Sequence, residues 1–181
     1  MGTAAYLDTM AHDLLDAAAD ALSASRTGTA PPSRVYVSHG RPAVDICEDG
    51  DGTGQLSVYL EPARGLTIVA APDRPAVPRQ ILVEPVALFV VEWWRCHIAF
   101  ANDGSIPTAD ELDDAASLLL TDLWCVHTQL LDEQRDGTLV SVNCSRVEVL
   151  GAQALGPQGG AAGWNIQVRV GLSDLGPAAA S

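Results

Sequence analysis

A nearly continuous apolar run over residues 81–100 is the feature that most constrains how this 181-residue chain can fold. Such a run is typical of a strand inside a sheet, where successive side chains point to opposite faces. Pro85 has no backbone N–H and indicates an edge position or a bulge near the start of the run. Trp93 and Trp94 would give one large ring to each face. The run therefore predicts the central strand of a sheet.

Shorter β-prone segments lie on both sides of this strand. They are residues 34–37, 43–48, 55–61, 142–150 and 164–172. The last of these alternates strictly between apolar and polar residues, which is a strong strand signal. A polar turn over residues 49–54 would join the second and third segments as a hairpin. Residues 151–163 hold five glycines and one proline, which predicts a flexible hairpin tip before the last strand.

Two segments have helical periodicity, residues 4–25 and a segment from about Thr108 to Gly137. Thr108 and Glu111 form a capping-box pattern at the start of the second, and Gly137 is suited to its end. The apolar faces predicted to be buried are Leu7, Met10, Leu14, Ala17, Ala21 and Ala24 in the first helix, and Leu112, Ala116, Leu119, Leu123, Val126 and Leu130 in the second.

These elements predict an α+β fold in the order α-β-β-β-β-α-β-β, with two amphipathic helices packed on a mixed, mostly antiparallel sheet. The length suits one domain over residues 1–175, followed by a flexible tail over 176–181. Within the domain, residues 62–79 contain four prolines around one apolar patch. Proline interrupts strand pairing, so this segment is predicted to be an extended arm with at most an edge strand.

Composition restricts the possible functions. Acidic residues outnumber basic ones 23 to 10, the basic residues are all Arg, and the formal net charge is −13. Nucleic-acid binding depends on clustered basic residues, which this chain lacks, so ordinary DNA or RNA binding is not expected. The longest apolar stretch, residues 85–91, is far shorter than the roughly 20 residues that span a bilayer. The N-terminus lacks the basic start of a secretory signal, so a soluble protein without a membrane partner is expected.

Metal sites are not predicted. The acidic turn at 49–54 has the spacing of a calcium loop, but its twelfth position is Leu60 instead of Glu. Cys96 and His97 would point to opposite faces of a strand, and Cys125 and His127 would diverge on a helix. The remaining cysteines, Cys47 and Cys144, are widely spaced, so reduced thiols are expected and not a disulfide framework.

Catalytic motifs for nucleotide binding, serine hydrolysis or zinc proteolysis do not occur in the sequence. His39 is the one histidine in a predicted loop, and a turn residue is the simplest interpretation of it. A protein without catalysis or cofactor is therefore expected. The alternatives left open are a small α+β domain that binds an apolar ligand, in a cavity lined by Trp93, Trp94, Phe100 and Trp124, and a hydrolytic enzyme.

Charge is unevenly distributed along the chain. Residues 62–79 carry a net charge of +2 and are the only net-positive segment, whereas residues 107–136 carry −7. The acids of the second segment are Asp110, Glu111, Asp113, Asp114, Asp122, Asp132, Glu133 and Asp136. A charged helix face is often merely solvated. In a closed ring, however, each subunit presents two different patches to its two neighbours. The candidate subunit-interface residues are Arg64, Arg74, Arg79, Asp110, Asp113 and Asp114.

Taken together, the chain resembles the tail terminator proteins of long-tailed phages that infect actinobacteria. The features that carry the resemblance are His39-Gly40-Arg41-Pro42-Ala43 leading to Asp45 and Cys47, Arg95-Cys96 running to Asp103-Gly104, the helix over 109–124, and Leu155-Gly156-Pro157 followed by Gly159-Gly160 and Ala162-Gly163-Trp164. None of these is a catalytic signature.

The resemblance implies a virion protein that forms a homo-oligomeric, hexameric ring at the head-proximal end of the tail tube. There it would stop polymerisation of the tail tube protein and present a face to the head-completion or stopper protein. Genomic DNA would pass through the ring without specific binding, and no cofactor is implied. An acidic lumen would repel DNA phosphates during this passage. Another neck protein of the same particle, such as the head-completion or stopper protein, is the nearest alternative.

Overall fold

The computed structural model describes residues 3–25, 30–44, 54–61, 66–70, 83–96, 106–142, 144, 146–158 and 161–172. The elements are α1 (Thr3–Ala24), β1 (Arg34–Ser38), β2 (Gln55–Leu60), β3 (Leu66–Ala70), β4 (Val83–Cys96), α2 (Ala109–Asp136), β5 (Arg146–Gln158) and β6 (Ala161–Gly171). The α+β class and the order α-β-β-β-β-α-β-β are confirmed.

The sheet is organised around β4, as the apolar run predicted. Its order is β1-β2-β4-β6-β5, and β3 also pairs with β4. Among the described strands, β1 and β2 are the one parallel pair; the other pairs are antiparallel. β2 pairs with residues 89–94 of β4 and β3 with residues 83–87, on the side opposite β6. β2 and β3 therefore follow one another along the same side of β4.

The predicted hairpin between residues 43–48 and β2 is wrong. Both sides of β2 are occupied, one by β1 and the other by β4, so no third strand can pair with it. Ala43 and Val44 are not in a strand, and residues 45–48 lie outside the described residues. Four strands still precede α2, because β3 takes the place of residues 43–48 in the count. β3 lies inside the segment that is predicted to hold at most an edge strand.

Pro85 lies at neither an edge nor a bulge. It pairs with Ile68 of β3, and its carbonyl accepts a hydrogen bond of 2.8 Å from the N–H of Leu172, just beyond β6. The N–H and C=O of a strand residue face the same neighbour, so the donor that proline lacks faces the end of β6. Proline is tolerated because the β4–β6 ladder stops there.

One face of the sheet carries both helices. α1 packs mainly on β1 and β2, and α2 on β5 and β6, with the two helices in contact. Met10, Leu14, Ala17 and Ala21 are buried as predicted, whereas Ala24 is exposed. Trp93 belongs to this core. Trp94 packs on the opposite face, against Ala161, Val44 and Leu155. The prediction that each face of the sheet receives one Trp side chain is confirmed.

Most of the glycine-rich segment over residues 151–163 lies in strands and not in a flexible tip. β5 continues to Gln158 and β6 begins at Ala161. The ladder between them shifts register between Val149 and Ala152, and again between Leu155 and Gln158. Such bulges accommodate an extra residue without ending the pairing. Glycine content alone therefore overstated how far the turn extends.

In the part of the chain that the structure describes, neither helix is long and apolar enough to cross a membrane.

Candidate subunit interface

Two charged side chains lie fully buried on β4, three residues apart. Glu92 is 0% exposed and Arg95 is 2% exposed. Glu92 faces away from the helices and Arg95 faces them, because side chains alternate along a strand. A buried charge needs partners, since leaving water is costly. The partners that these two residues hold fix the surrounding segments on both faces of the sheet.

Arg95 forms a buried ion pair with Asp122 of α2. The guanidinium Nε lies 2.7 Å from the carboxylate Oδ2, and both side chains are almost completely removed from solvent. Arg95 Nη1 also donates to the carbonyl oxygen of Ala30 at 2.6 Å, and the hydroxyl of Ser25 donates to Asp122 Oδ1 at 3.5 Å. One ion pair thus connects β4, α2 and the connection after α1.

This pair sets the direction of α2. Asp122 lies beside Arg95, near the C-terminal end of β4. Gln134, three turns later, accepts a hydrogen bond from the N–H of Val149 at 2.7 Å. Val149 pairs with Val168 of β6, and Val168 pairs with Phe89 of β4. Gln134 therefore lies at the level of Phe89. The helix therefore runs back along β4 from residue 122 onward, and its N-terminal half extends beyond the Arg95 end of the sheet.

The overhanging half of α2 carries acidic residues. Asp110, Asp113 and Asp114 are all exposed there.

The predicted capping box at the start of α2 is confirmed: the Glu111 N–H donates to Thr108 Oγ1 at 3.3 Å, and the Thr108 N–H donates to Glu111 Oε2 at 2.8 Å. The backbone and hydroxyl hydrogen bonds from Thr108 lower the pKa of Glu111. Gly137 ends the helix in a left-handed conformation, with φ 73°.

The predicted buried stripe of α2 is correct only in its second half. Val126 and Leu130 are buried and Leu119 and Leu123 are partly buried, but Leu112 and Ala116 are exposed. The reason is that the first half of α2 lies beyond the Arg95 end of the described strands, so these strands do not cover it. Asp122, counted among the acids of the helix surface, is instead buried.

The described part of the basic segment lies at the other end of the molecule. β3 pairs with residues 83–87 of β4, and Arg95 is eight residues further along. At about 3.3 Å per residue, the end of β3 and Arg95 are about 26 Å apart along β4. Asp113 lies about 13 Å beyond the Arg95–Asp122 pair, toward the start of α2. Arg64, Arg74 and Arg79 lie outside the described residues. β3 and the acidic half of α2 are thus at opposite ends of β4.

Glu92 organises the face of the sheet opposite the helices. Its carboxylate accepts from the Tyr59 hydroxyl at 2.8 Å and from Trp94 Nε1 at 2.7 Å. Arg41 Nε lies 3.3 Å from the same carboxylate, although the Arg41 side chain is 53% exposed. The segment after β1 is therefore held against the sheet by an ion pair at Arg41 and by the contact of Val44 with Trp94.

Sequence reasoning missed this cluster and the Arg95–Asp122 pair. The available signal was the presence of a Glu and an Arg within a run that is otherwise apolar from residue 85 to residue 96. Charged residues are almost never fully buried unless they are paired, so both were predictable as buried ions. Their partners were not predictable, because Arg41 and Asp122 are 51 and 27 positions away along the chain.

Tyr59→Phe is expected to reduce the loss of stability at high pH. Burial first, and then the hydrogen bond to Glu92, raises the pKa of Tyr59 above its ordinary value. The unfolded chain therefore loses this proton near pH 10 while the folded chain keeps it. The stabilisation is complete below about pH 10 and is lost as the pH rises, by up to about 1.4 kcal/mol per pH unit.

The test is urea unfolding of the wild type and Tyr59→Phe between neutral pH and about pH 11. The variant should start less stable, because it lacks the hydrogen bond, and its free energy of unfolding should fall less steeply with pH. Tyr36, whose pKa burial also raises, is present in both proteins and cancels in the comparison. Parallel pH profiles would contradict the prediction.

The other candidate sites are not formed by the residues that the structure describes. Trp93 and Trp94 lie on opposite faces of β4 and Trp124 is 72% exposed, so these three rings do not line one cavity; Phe100 lies outside the described residues. His39 is exposed after β1, beside a pocket of about 270 Å³. Cys125 and His127 are partly buried on α2. Within the described ranges, no three His, Cys, Asp or Glu side chains are grouped as metal ligands would be.

No protein-family model matches this sequence, and no curated protein matches it.

Proposed function

We propose that this chain is a structural protein of a phage tail: a tail terminator that forms a ring at the head-proximal end of the tail tube. In this role it stops addition of tail tube protein and provides the face that joins the head through the head-completion or stopper protein. The function requires neither a catalytic centre nor a cofactor. It requires two different contact surfaces on each subunit.

The observation that supports the proposal best is the separation of the acidic half of α2 from β3. The acidic half of α2 extends beyond the Arg95 end of β4, and β3, within the basic segment 62–79, pairs with the other end. In one subunit, β3 and the acidic half of α2 are therefore too far apart to meet. In two subunits placed head to tail, the acidic half of one α2 faces the β3 end of the other subunit, and such a contact between unlike surfaces closes into a ring when the rotation between subunits permits.

The charge of the chain is compatible with DNA passing through the ring. A net charge of −13 makes most of the surface repulsive to phosphate, so the duplex would not adhere during transit. Specificity for the tube end would come from a surface that fits one tube subunit and excludes the next.

Tails that have never met a head provide the test. An antibody fragment or a gold label against this chain is expected at one tip of purified headless tails, at the end that later joins the head. Labelled tail-less heads are the control, because a head-completion or stopper protein would be found there instead. Label on heads and none on tails would contradict the terminator and favour the alternative neck protein.

A further inference from the structure

An exposed apolar stripe runs along α2, on a side that the core does not use. Leu120, Trp124 and Leu131 are 57%, 72% and 40% exposed. With His127, they follow one another at spacings of four, three and four residues, which places them in one line on a helix. A shallow groove of about 450 Å³ lies against the upper part of this line. We call Leu120, Trp124 and Leu131 the α2 stripe.

The α2 stripe has the composition of a protein contact. A largely exposed Trp beside two exposed Leu residues is unusual on a surface that faces only water, and Trp is among the residues most enriched at the centres of interfaces. Asp113 lies on the same line toward the helix start, and Asp132 is exposed beside Leu131. An acidic border of this kind repels anionic lipid. A protein surface that is apolar with basic residues around it would fit.

The charge of α2 decides which protein surface can occupy the stripe if the partner is another copy of this chain. Residues 107–136 carry a net charge of −7, so two α2 helices facing each other across a two-fold axis would bring like charges together. A different surface of the second copy avoids this repulsion. The only net-positive part of the sequence is residues 62–79, and β3, the part of it that is described, lies at the opposite end of β4.

We propose that the α2 stripe binds a second copy of this chain head to tail, through a surface of that copy other than its own α2. This inference rests on the proposed function, because it names the contact that would close the terminator ring. Trp124 would supply the central apolar anchor, and the acids around it would select the orientation of the neighbour. The contact would weaken with added salt, since its border is charged.

Sedimentation analysis of the full-length chain over a wide concentration range, at low and high salt, tests the contact. The variant is Leu120→Ser combined with Trp124→Ser. The matched control is Val35→Ser, which changes an exposed apolar residue of β1, outside α2 and outside residues 62–79. Far-UV circular dichroism checks that all three proteins are folded; large losses are not expected, since these side chains are exposed.

The wild type and Val35→Ser should associate beyond the dimer, less tightly in high salt. The stripe variant should associate at least about thirtyfold more weakly, as loss of an interface hot spot implies. Equal association of the stripe variant and Val35→Ser would overturn the inference, as would a closed dimer or a wild type that stays monomeric. A stripe variant that loses only binding to tube ends would assign the stripe to the tube protein instead.

These outcomes are distinct from those of the tail-labelling test. Label at the tube tip together with a stripe variant that assembles normally would reject the stripe contact and retain the terminator. Head-to-tail association through the stripe without label on tails would retain the contact and reject the terminator.

Discussion

Asp122→Ala is expected to lower the free energy of unfolding by about 3–5 kcal/mol, the usual cost of removing one member of a buried ion pair. Asp122 and Arg95 are both fully buried and are joined at 2.7 Å. Removal of the carboxylate leaves the guanidinium inside the protein without its counter-charge. Because a domain of this size is stabilised by only about 5–15 kcal/mol, the loss is a large fraction of the total.

Urea unfolding measures this change, and α2 supplies its own control. Asp132 also pairs with an arginine, Arg135, at 3.2 Å, but both side chains are more than half exposed. Asp132→Ala should therefore change stability by no more than about 1 kcal/mol. In the double variant Arg95→Met with Asp122→Leu, apolar packing replaces the pair, and much of the stability lost in Asp122→Ala should return. Equal losses for Asp122→Ala and Asp132→Ala would contradict the burial of the pair.

Gly163→Ala is expected to destabilise the sheet by about 3 kcal/mol, the upper part of the usual range for overpacking. A Cβ atom at this position would lie 1.9 Å from the carbonyl oxygen of Trp93 and 2.9 Å from its carbonyl carbon. Both atoms belong to the backbone of the central strand, which cannot move aside as the end of a flexible side chain can. Accommodation therefore requires β6 to separate from β4.

Gly156→Ala is the matched control, since Gly156 lies in the strand that pairs with β6 and a Cβ there would meet nothing within 4 Å. We expect that variant to be within about 0.5 kcal/mol of the wild type. Thermal or urea unfolding of the two variants is sufficient for the comparison. Equal stability of Gly163→Ala and Gly156→Ala would show that β6 does not approach β4 as closely as described.

The parts of the fold that were predicted from sequence depend on neighbours along the chain. Thr108, Glu111 and Gly137 mark the two ends of α2 because capping uses residues within one turn. The central strand was recognisable because its apolar run is longer than that of any other segment. Both signals are local, so they can be recognised in the sequence without the tertiary structure.

The parts that were not predicted depend on partners far along the chain. Helical periodicity predicts one continuous buried stripe on α2, but Leu112 and Ala116 are exposed because they lie beyond the Arg95 end of the described strands. Turn chemistry favoured a hairpin before β2, but pairing with β1 and β4 occupies both sides of that strand. Asp122 is indistinguishable in sequence from the surface acids of α2, and its burial depends on the distant partner Arg95. The acidic half of α2 was predictable as a charged patch, and its separation from β3 was not.

The position of β6 has a consequence for how the chain folds. β6 comes last among the described elements, yet it lies between β4 and β5, with residues 161–171 paired to residues 86–96 of the central strand. Contacts between segments this distant in sequence slow folding, because a long loop must close before they form. On the ribosome, the core on β4 cannot be completed until residue 171 has emerged. A chain interrupted earlier lacks the strand that completes its own sheet, so a truncated chain is not expected to reach the native fold.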